Sequence, residues 1–299
     1  MLKIIAAALI WWAFASVSAA DFESGKQAYS NRDYATALRE WLPAAEAGEA
    51  RSQFYLGHLY RLGQGVPKNA NEAVRWYRNA ANQGYADAQN AMGNVYCLGL
   101  GVSVDYTEAM RWYRLAIDQG LAKAKASWGR LYENGLGVKL DYREALKWYR
   151  MAADSGDPMG QAKLGGVYDR GHGVRRDRTE AAKWYRLAAD QGDDEAQFKL
   201  GSMYETGEGV EKDYQQALKW YRAAADQWYT WAQCNLGCMY AKGHGVTRDL
   251  NEAAKWYELA ARQGDEVAKH NLEVIRRVPP STMGQPGTLT QIARWLQQH

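Results

Sequence analysis

The sequence has little of what marks a disulfide-stapled or glycosylated protein. Its cysteines are three in number, so they cannot pair into a complete disulfide framework. It contains no Asn-x-Ser/Thr sequon, the acceptor site for N-linked glycans. The fold must therefore rest on a hydrophobic core, and 47% apolar residues in a chain of 299 are enough to form one.

An excess of one charge is also missing. The formal net charge is +3, and lysines and arginines are spread along the chain beside aspartates and glutamates. A nucleic-acid or strongly membrane-attracted surface needs clustered basic side chains. We therefore expect no nucleic-acid partner.

Motifs of catalysis and metal binding are absent too. The chain contains no HExxH, paired CxxC or GxSxG motif, and its five histidines are scattered. We therefore expect no enzyme, no metal site and no cofactor.

The N-terminus has the features of a signal peptide, predicted to span residues 1–20. Lys3 precedes the apolar run IIAAALIWWAFASVS, and small residues follow it before Asp21. Cleavage after Ala19 or Ala20 satisfies the small-residue rule. The run is shorter than the ~20 apolar residues of a membrane span, although an uncleaved anchor is the alternative. We expect a periplasmic or secreted protein with no membrane-spanning segment after cleavage.

What the sequence has in abundance is a Trp-Tyr pair that returns every 36 residues. The six tryptophans are Trp76, Trp112, Trp148, Trp184, Trp220 and Trp256, each followed by tyrosine. A fixed period of this size indicates a repeat array. The units run over 51–86, 87–122, 123–158, 159–194, 195–230 and 231–266.

Each unit has the signals of two helices. In the second half, Asp177 and Glu180 have the spacing of a capping box, and Gly192 lies where a left-handed residue ends a helix. The first half places Leu200 and Tyr204 on one face, with Gly201 beside them for close approach of a neighbour. A GxGV turn joins the halves.

The recurring LGxxY, GxGV, DYxEAxxWY and AAxxG motifs resemble the Sel-1-like repeat family, relatives of the tetratricopeptide repeats, over about residues 50–275. The resemblance implies an all-α fold, an α/α solenoid in which about six helix pairs and capping helices form a right-handed superhelix with a concave groove. The Trp-Tyr pair would then be core rather than a ligand cage, because one helix pair cannot cover such large rings alone.

The ends of the array are less regular. Residues 21–50 are predicted to be a degenerate leading repeat, in which Trp41 takes the position of Tyr77. Residues 267–278 are predicted to be a lone first helix, with Glu273 in place of the glycine. Residues 279–299 contain a Pro/Gly-rich linker and a short terminal helix, which either caps the open end or docks on a partner.

By analogy with tetratricopeptide repeats, the resemblance places first-helix positions outside LGxxY on the concave surface. These positions include Phe54, His58, Arg61, Asn94, Arg130, Glu133, Phe198, Cys234 and Cys238. Their mixed polarity is consistent with a protein or extended peptide partner, bound by a monomer. The two cysteines are interpreted as free thiols, with a local disulfide or a weak soft-metal site as alternatives.

One junction departs from the pattern. Trp228 stands where the other units have glycine, and Tyr229 and Trp231 follow it. These rings are either an aromatic hot spot for a partner or packing between the fifth and sixth units.

We therefore expect an exported, non-catalytic scaffold or adaptor, as the family resemblance implies. The alternative is an exported hydrolase or a cell-wall or β-lactam-binding protein, because some exported relatives are associated with β-lactam binding. The SxxK motif that such an enzyme would use is absent.

Overall fold

A computed structural model describes residues 22–277, and in this range the chain forms fifteen α-helices and no strand. The first helix, α1, covers residues 22–30. The others are α2 (Tyr34–Glu46), α3 (Ala50–Leu62), α4 (Ala70–Asn82), α5 (Ala86–Leu98), α6 (Tyr106–Asp118), α7 (Ala122–Asn134), α8 (Tyr142–Asp154), α9 (Pro158–Arg170), α10 (Arg178–Asp190), α11 (Asp194–Thr206), α12 (Tyr214–Asp226), α13 (Thr230–Lys242), α14 (Leu250–Arg262) and α15 (Glu266–Arg276). The predicted signal peptide and terminal helix lie outside the described residues.

From α3 onward, odd-numbered helices are the first helices of the repeats and even-numbered helices are the second. The chain divides into two compact units, a first unit up to Trp148 and a second unit from Tyr149. From α2 to α7 in the first unit, and from α9 to α15 in the second, each helix packs against the next one in sequence. This arrangement confirms the prediction of an all-α, α/α solenoid.

The helix ends follow the capping signals. Asp177 accepts a hydrogen bond from the Glu180 backbone N–H at 2.9 Å, and an Asp or Asn does the same at the start of α2, α4, α6, α12 and α14. The first helices from α3 to α13 end at a left-handed glycine, such as Gly207 after α11. Local sequence signals therefore specify where the second helices begin and where the first helices end.

The tyrosine of each Trp-Tyr pair is the most deeply buried ring of its repeat. Tyr221 packs on Gly201, where a Cβ atom would lie 2.8 Å from the ring. The same close approach pairs Tyr77 with Gly57, Tyr113 with Gly93, Tyr185 with Gly165 and Tyr257 with Gly237. In the leading helix pair, Trp41 takes the tyrosine's place over Gly25.

The tryptophans pack toward the preceding repeat. Trp76 lies in the same core cluster as Trp41, whereas Tyr77 shares its cluster with Trp112. Trp76, Trp112 and Trp220 are buried, and the other three repeat tryptophans are half-buried. The rings thus belong to the core, as predicted.

A ladder of buried glutamines links successive repeats, and we call it the Gln ladder. The Gln197 amide N–H donates to the Ala189 carbonyl at 3.1 Å, and its oxygen accepts from Gln227 at 2.9 Å. The same pattern joins Gln53 to Gln83, Gln89 to Gln119, Gln161 to Gln191 and Gln233 to Gln263. In each pair the buried glutamine gives a second hydrogen bond to a helix-end carbonyl that already accepts a backbone N–H, as Ala189 does from Gly192.

Candidate partner-binding site

An open groove of about 610 Å³ lies in the second unit at the start of α13 and α15. Its lining residues are Asp194, Trp228, Tyr229, Thr230, Trp231, Gln263, Gly264, Asp265, Glu266 and Val267. We call it the aromatic groove. It contains all three aromatic residues of the irregular junction.

Trp228 reaches this groove through an unusual backbone conformation. Its φ is +69°, in the left-handed region that the other repeats fill with glycine. At the corresponding glycines, such as Gly192 and Gly264, a Cβ would meet no atom within 4 Å. A side chain at this position therefore projects into open space, and Trp228 is 51% exposed.

Trp231 lies in the first turn of α13 and is 58% exposed. Its ring centroid is 6.0 Å from that of Phe198 and 5.9 Å from that of Tyr229. Tyr229 is half-buried and packs on Phe198 at 5.2 Å. The packing interpretation thus fits Tyr229 and Phe198, whereas Trp228 and Trp231 present much of their rings to solvent.

The groove is acidic. Asp194, Asp265 and Glu266 line it, and no lysine or arginine is among the lining residues. Burial, together with the nearby carboxylates of Glu195 and Asp194, raises the pKa of Tyr229 to about 12. The exposed indoles therefore stand in a negative electrostatic environment.

The predicted groove residues of the first unit form polar clusters around tyrosine hydroxyls. Arg61 donates one hydrogen bond to the Tyr77 hydroxyl and another to His58 Nδ1, both at 3.3 Å. Burial, followed by the charge of Arg61, lowers the pKa of His58 to about 4. Phe54 is only 7% exposed and packs edge-on against His58, so its side chain is not available to line a groove.

A second cluster lies one repeat further on. Asn94 accepts hydrogen bonds from the Tyr113 hydroxyl at 2.8 Å and from Arg130 at 3.0 Å. Glu133 is half-buried on the same helix as Arg130. These polar side chains satisfy the ends of buried tyrosines, and their binding role stays a prediction.

The two cysteines of α13 are free thiols in the structure. Cys234 is 6% exposed and belongs to the core cluster with α14 and α15, so it does not line a groove. Cys238 is half-buried and accepts a hydrogen bond from the Tyr257 hydroxyl at 3.2 Å. Hydrogen bonding from Cys234, assisted by Tyr257, lowers the pKa of Cys238 despite its burial.

Sequence reasoning missed residues of the neighbouring repeats that also line the aromatic groove. Asp194 and Val267 come from repeats on either side of Trp231. The signal was available in the 36-residue column that holds Trp231, in which Glu195 precedes it and Val267 follows it. Two consecutive apolar residues at a position that is charged in four of the other repeats mark an altered surface.

Comparison with known proteins places these features in a family. The Sel1 repeat model matches residues 50–85, 86–121, 122–157, 158–193, 194–227 and 232–265. A Sel1 repeat protein from Oxalobacter formigenes is 37% identical with a TM-score of 0.65, and the match covers 81% of this chain and 99% of that one. No curated protein matches the chain.

Two other solved structures are similar. A protective antigen of uropathogenic Escherichia coli strains with an SLR fold is 35% identical with a TM-score of 0.57, over 93% of this chain and 61% of that one. An immunity protein from Pseudomonas aeruginosa is 24% identical with a TM-score of 0.56, over 78% of this chain and 89% of that one, and shows the fold alone. Sel1-repeat proteins are generally protein-interaction scaffolds and typically not enzymes. Among residues 22–277, no helix is long and apolar enough to cross a membrane.

Proposed function

Because this chain belongs to the Sel1 repeat family, we propose that it is an exported, non-catalytic scaffold that binds a protein or peptide partner through the aromatic groove. One observation carries the proposal. Trp228 occupies a left-handed backbone position that costs a non-glycine residue about 1–2 kcal/mol, and its ring is half exposed. Strain held at an exposed aromatic side chain is typical of a functional contact.

The composition of the groove supports the same function. Tryptophan and tyrosine dominate the energetics of protein interfaces, and here the exposed indole of Trp231 rests on a layer formed by Phe198 and Tyr229, with the exposed Trp228 in the same groove. The layer holds Trp231 in place before a partner arrives, which lowers the entropy cost of binding.

Site-specific photocrosslinking tests this function. A photoreactive benzoylphenylalanine replaces Trp231 in the full chain, expressed in its own cells. The matched control carries the same group at Leu187, which is 47% exposed in the same unit but outside the groove. We expect a discrete protein adduct from position 231 and none from position 187. Identical adducts from both positions, or no adduct from position 231, would refute the proposed site.

Export is the second part of the proposal, and the segment from Lys3 to Ala20 supports it. N-terminal sequencing of the protein purified from periplasm and medium should begin at Ala20 or Asp21. A full-length chain found in the cytoplasm would contradict export without touching the groove.

A further inference from the structure

We infer that the aromatic groove selects a peptide segment that presents a large apolar side chain beside a lysine or arginine. This inference rests on the proposed function and names the chemistry of the partner. It follows from the charge, the exposed rings and the size of the groove.

The charge around the groove is negative in excess. Three carboxylates line it, from Asp194, Asp265 and Glu266, and those of Asp193 and Glu195 lie near enough to act on Tyr229. Two lysines balance part of this charge, since Lys163 pairs with Glu195 at 2.8 Å and Lys269 pairs with Glu266 at 3.6 Å. A third, Lys199, lies over the Phe198 ring at 5.8 Å. An excess of two negative charges is left for a cationic partner to meet.

An acidic partner is the competing possibility, because the groove lies beside the N-termini of α11, α13 and α15, where anions are favoured. The chain already fills two of these sites itself. Asp193 accepts the Ala196 backbone N–H at 2.8 Å, and Asp265 accepts that of Ala268 at 2.7 Å. The N-terminus of α13 has no such side-chain cap, but the excess of carboxylates around the groove disfavours an anion there.

The rings supply the rest of the recognition. Trp231 offers an exposed indole beside Asp194, so a guanidinium or ammonium group can lie over the ring while it contacts the carboxylate. Trp228 and the 60% exposed Val267 offer apolar surface to a neighbouring aliphatic or aromatic side chain. A volume of about 610 Å³ falls in the range of ~300–1,000 Å³ of ligand pockets, enough for a few side chains.

Two matched peptides test the inference with the full chain. The first is acetyl-Gly-Arg-Leu-Trp-Lys-Gly-amide, and the second carries glutamate in place of arginine and lysine. Binding is measured by fluorescence anisotropy of a labelled peptide. We expect the basic peptide to bind at least about tenfold more tightly, with a preference that shrinks at high salt.

Two variants locate the charge and the ring. Asp194→Asn with Glu266→Gln keeps both helix caps and should weaken the basic peptide by about two- to fivefold per carboxylate, as partly exposed ion pairs do. Trp231→Ala should abolish the binding of the basic peptide. Leu187→Ala, outside the groove, should leave it unchanged.

The outcomes separate this inference from the proposed function. Equal affinity for both peptides, or a preference for the acidic one, overturns the inference, while a protein adduct from position 231 would still support the function. No binding of either peptide also overturns it. An adduct from position 231 to a second copy of the chain, or to the chain's own residues 278–299, overturns it in favour of that occupant.

Discussion

Replacing Trp228 by alanine and by glycine separates the ring from the backbone that carries it. Both variants remove the indole, but only glycine relieves the left-handed φ of +69°. A Cβ at the corresponding glycines has no neighbour within 4 Å, and both variants lose the same half-exposed ring, so they lose the same packing. The two variants then differ by the strain alone. Trp228→Gly should be more stable than Trp228→Ala by about 1 kcal/mol, the reverse of their order inside a helix.

Urea denaturation followed by circular dichroism measures this difference. A change of ~1 kcal/mol corresponds to a shift of ~2–4 °C in Tm for a domain of this size, so thermal melts provide a second reading. Both variants should lose the photocrosslinked adduct equally, when the photoreactive group stands at position 231, because both lack the Trp228 ring. Equal stability of the two variants would show that the backbone is not strained. An adduct that survives in both would show that the Trp228 ring is not part of the contact.

Two further predictions concern the core. Gly165→Ala should destabilise the second unit by about 1–3 kcal/mol, because the new Cβ would lie 2.9 Å from the buried Tyr185 ring. Gly166→Ala should instead stabilise α9 by about 0.5–1 kcal/mol, because its Cβ would meet only the flexible end of the Arg170 side chain. Urea midpoints of the two variants that move in the same direction would refute this packing. His58 has a pKa of about 4 when folded and 6.5 when unfolded, so the stability that its neutral imidazole contributes is fully present above pH 6.5 and is lost as the pH falls toward 4. Over this range the wild type should lose about 3 kcal/mol more unfolding free energy than the His58→Asn variant, in which the new residue matches Asn94 of the next repeat. Parallel pH profiles of the two proteins would contradict a buried neutral imidazole.

Much of the fold could be predicted because the information is local and repeated. Asp177, Glu180 and Gly192 specify one helix by capping alone, and the 36-residue period carries that result to every repeat. The close approach at Gly201 was also predictable, since only a residue without a side chain leaves room for Tyr221. The Gln ladder was not, because apolar periodicity does not report on buried polar side chains.

The site was harder to predict. First-helix positions were assigned to an exposed surface by analogy, but Phe54 and Cys234 fill the core. His58 and Arg61 are engaged with Tyr77, a contact that the sequence does not show because the residues belong to different helices. For Trp228 the sequence left two interpretations open. The left-handed backbone favours the exposed one, since it directs the ring away from both neighbouring helices.

The Gln ladder has a consequence for how such a chain changes its length. Gln197 bonds to the end of the repeat before it and receives Gln227 from the end of its own repeat, and Gln233 repeats the arrangement with Gln263. Duplication or loss of a whole 36-residue segment within the ladder leaves every donor with an acceptor. Insertion of a single residue within α11 or α12, between Gln197 and Gln227, would rotate the rest of that helix by about 100° and leave buried amides without partners. The Gln ladder thus favours changes in length by whole 36-residue repeats over the insertion or loss of single residues within its helices.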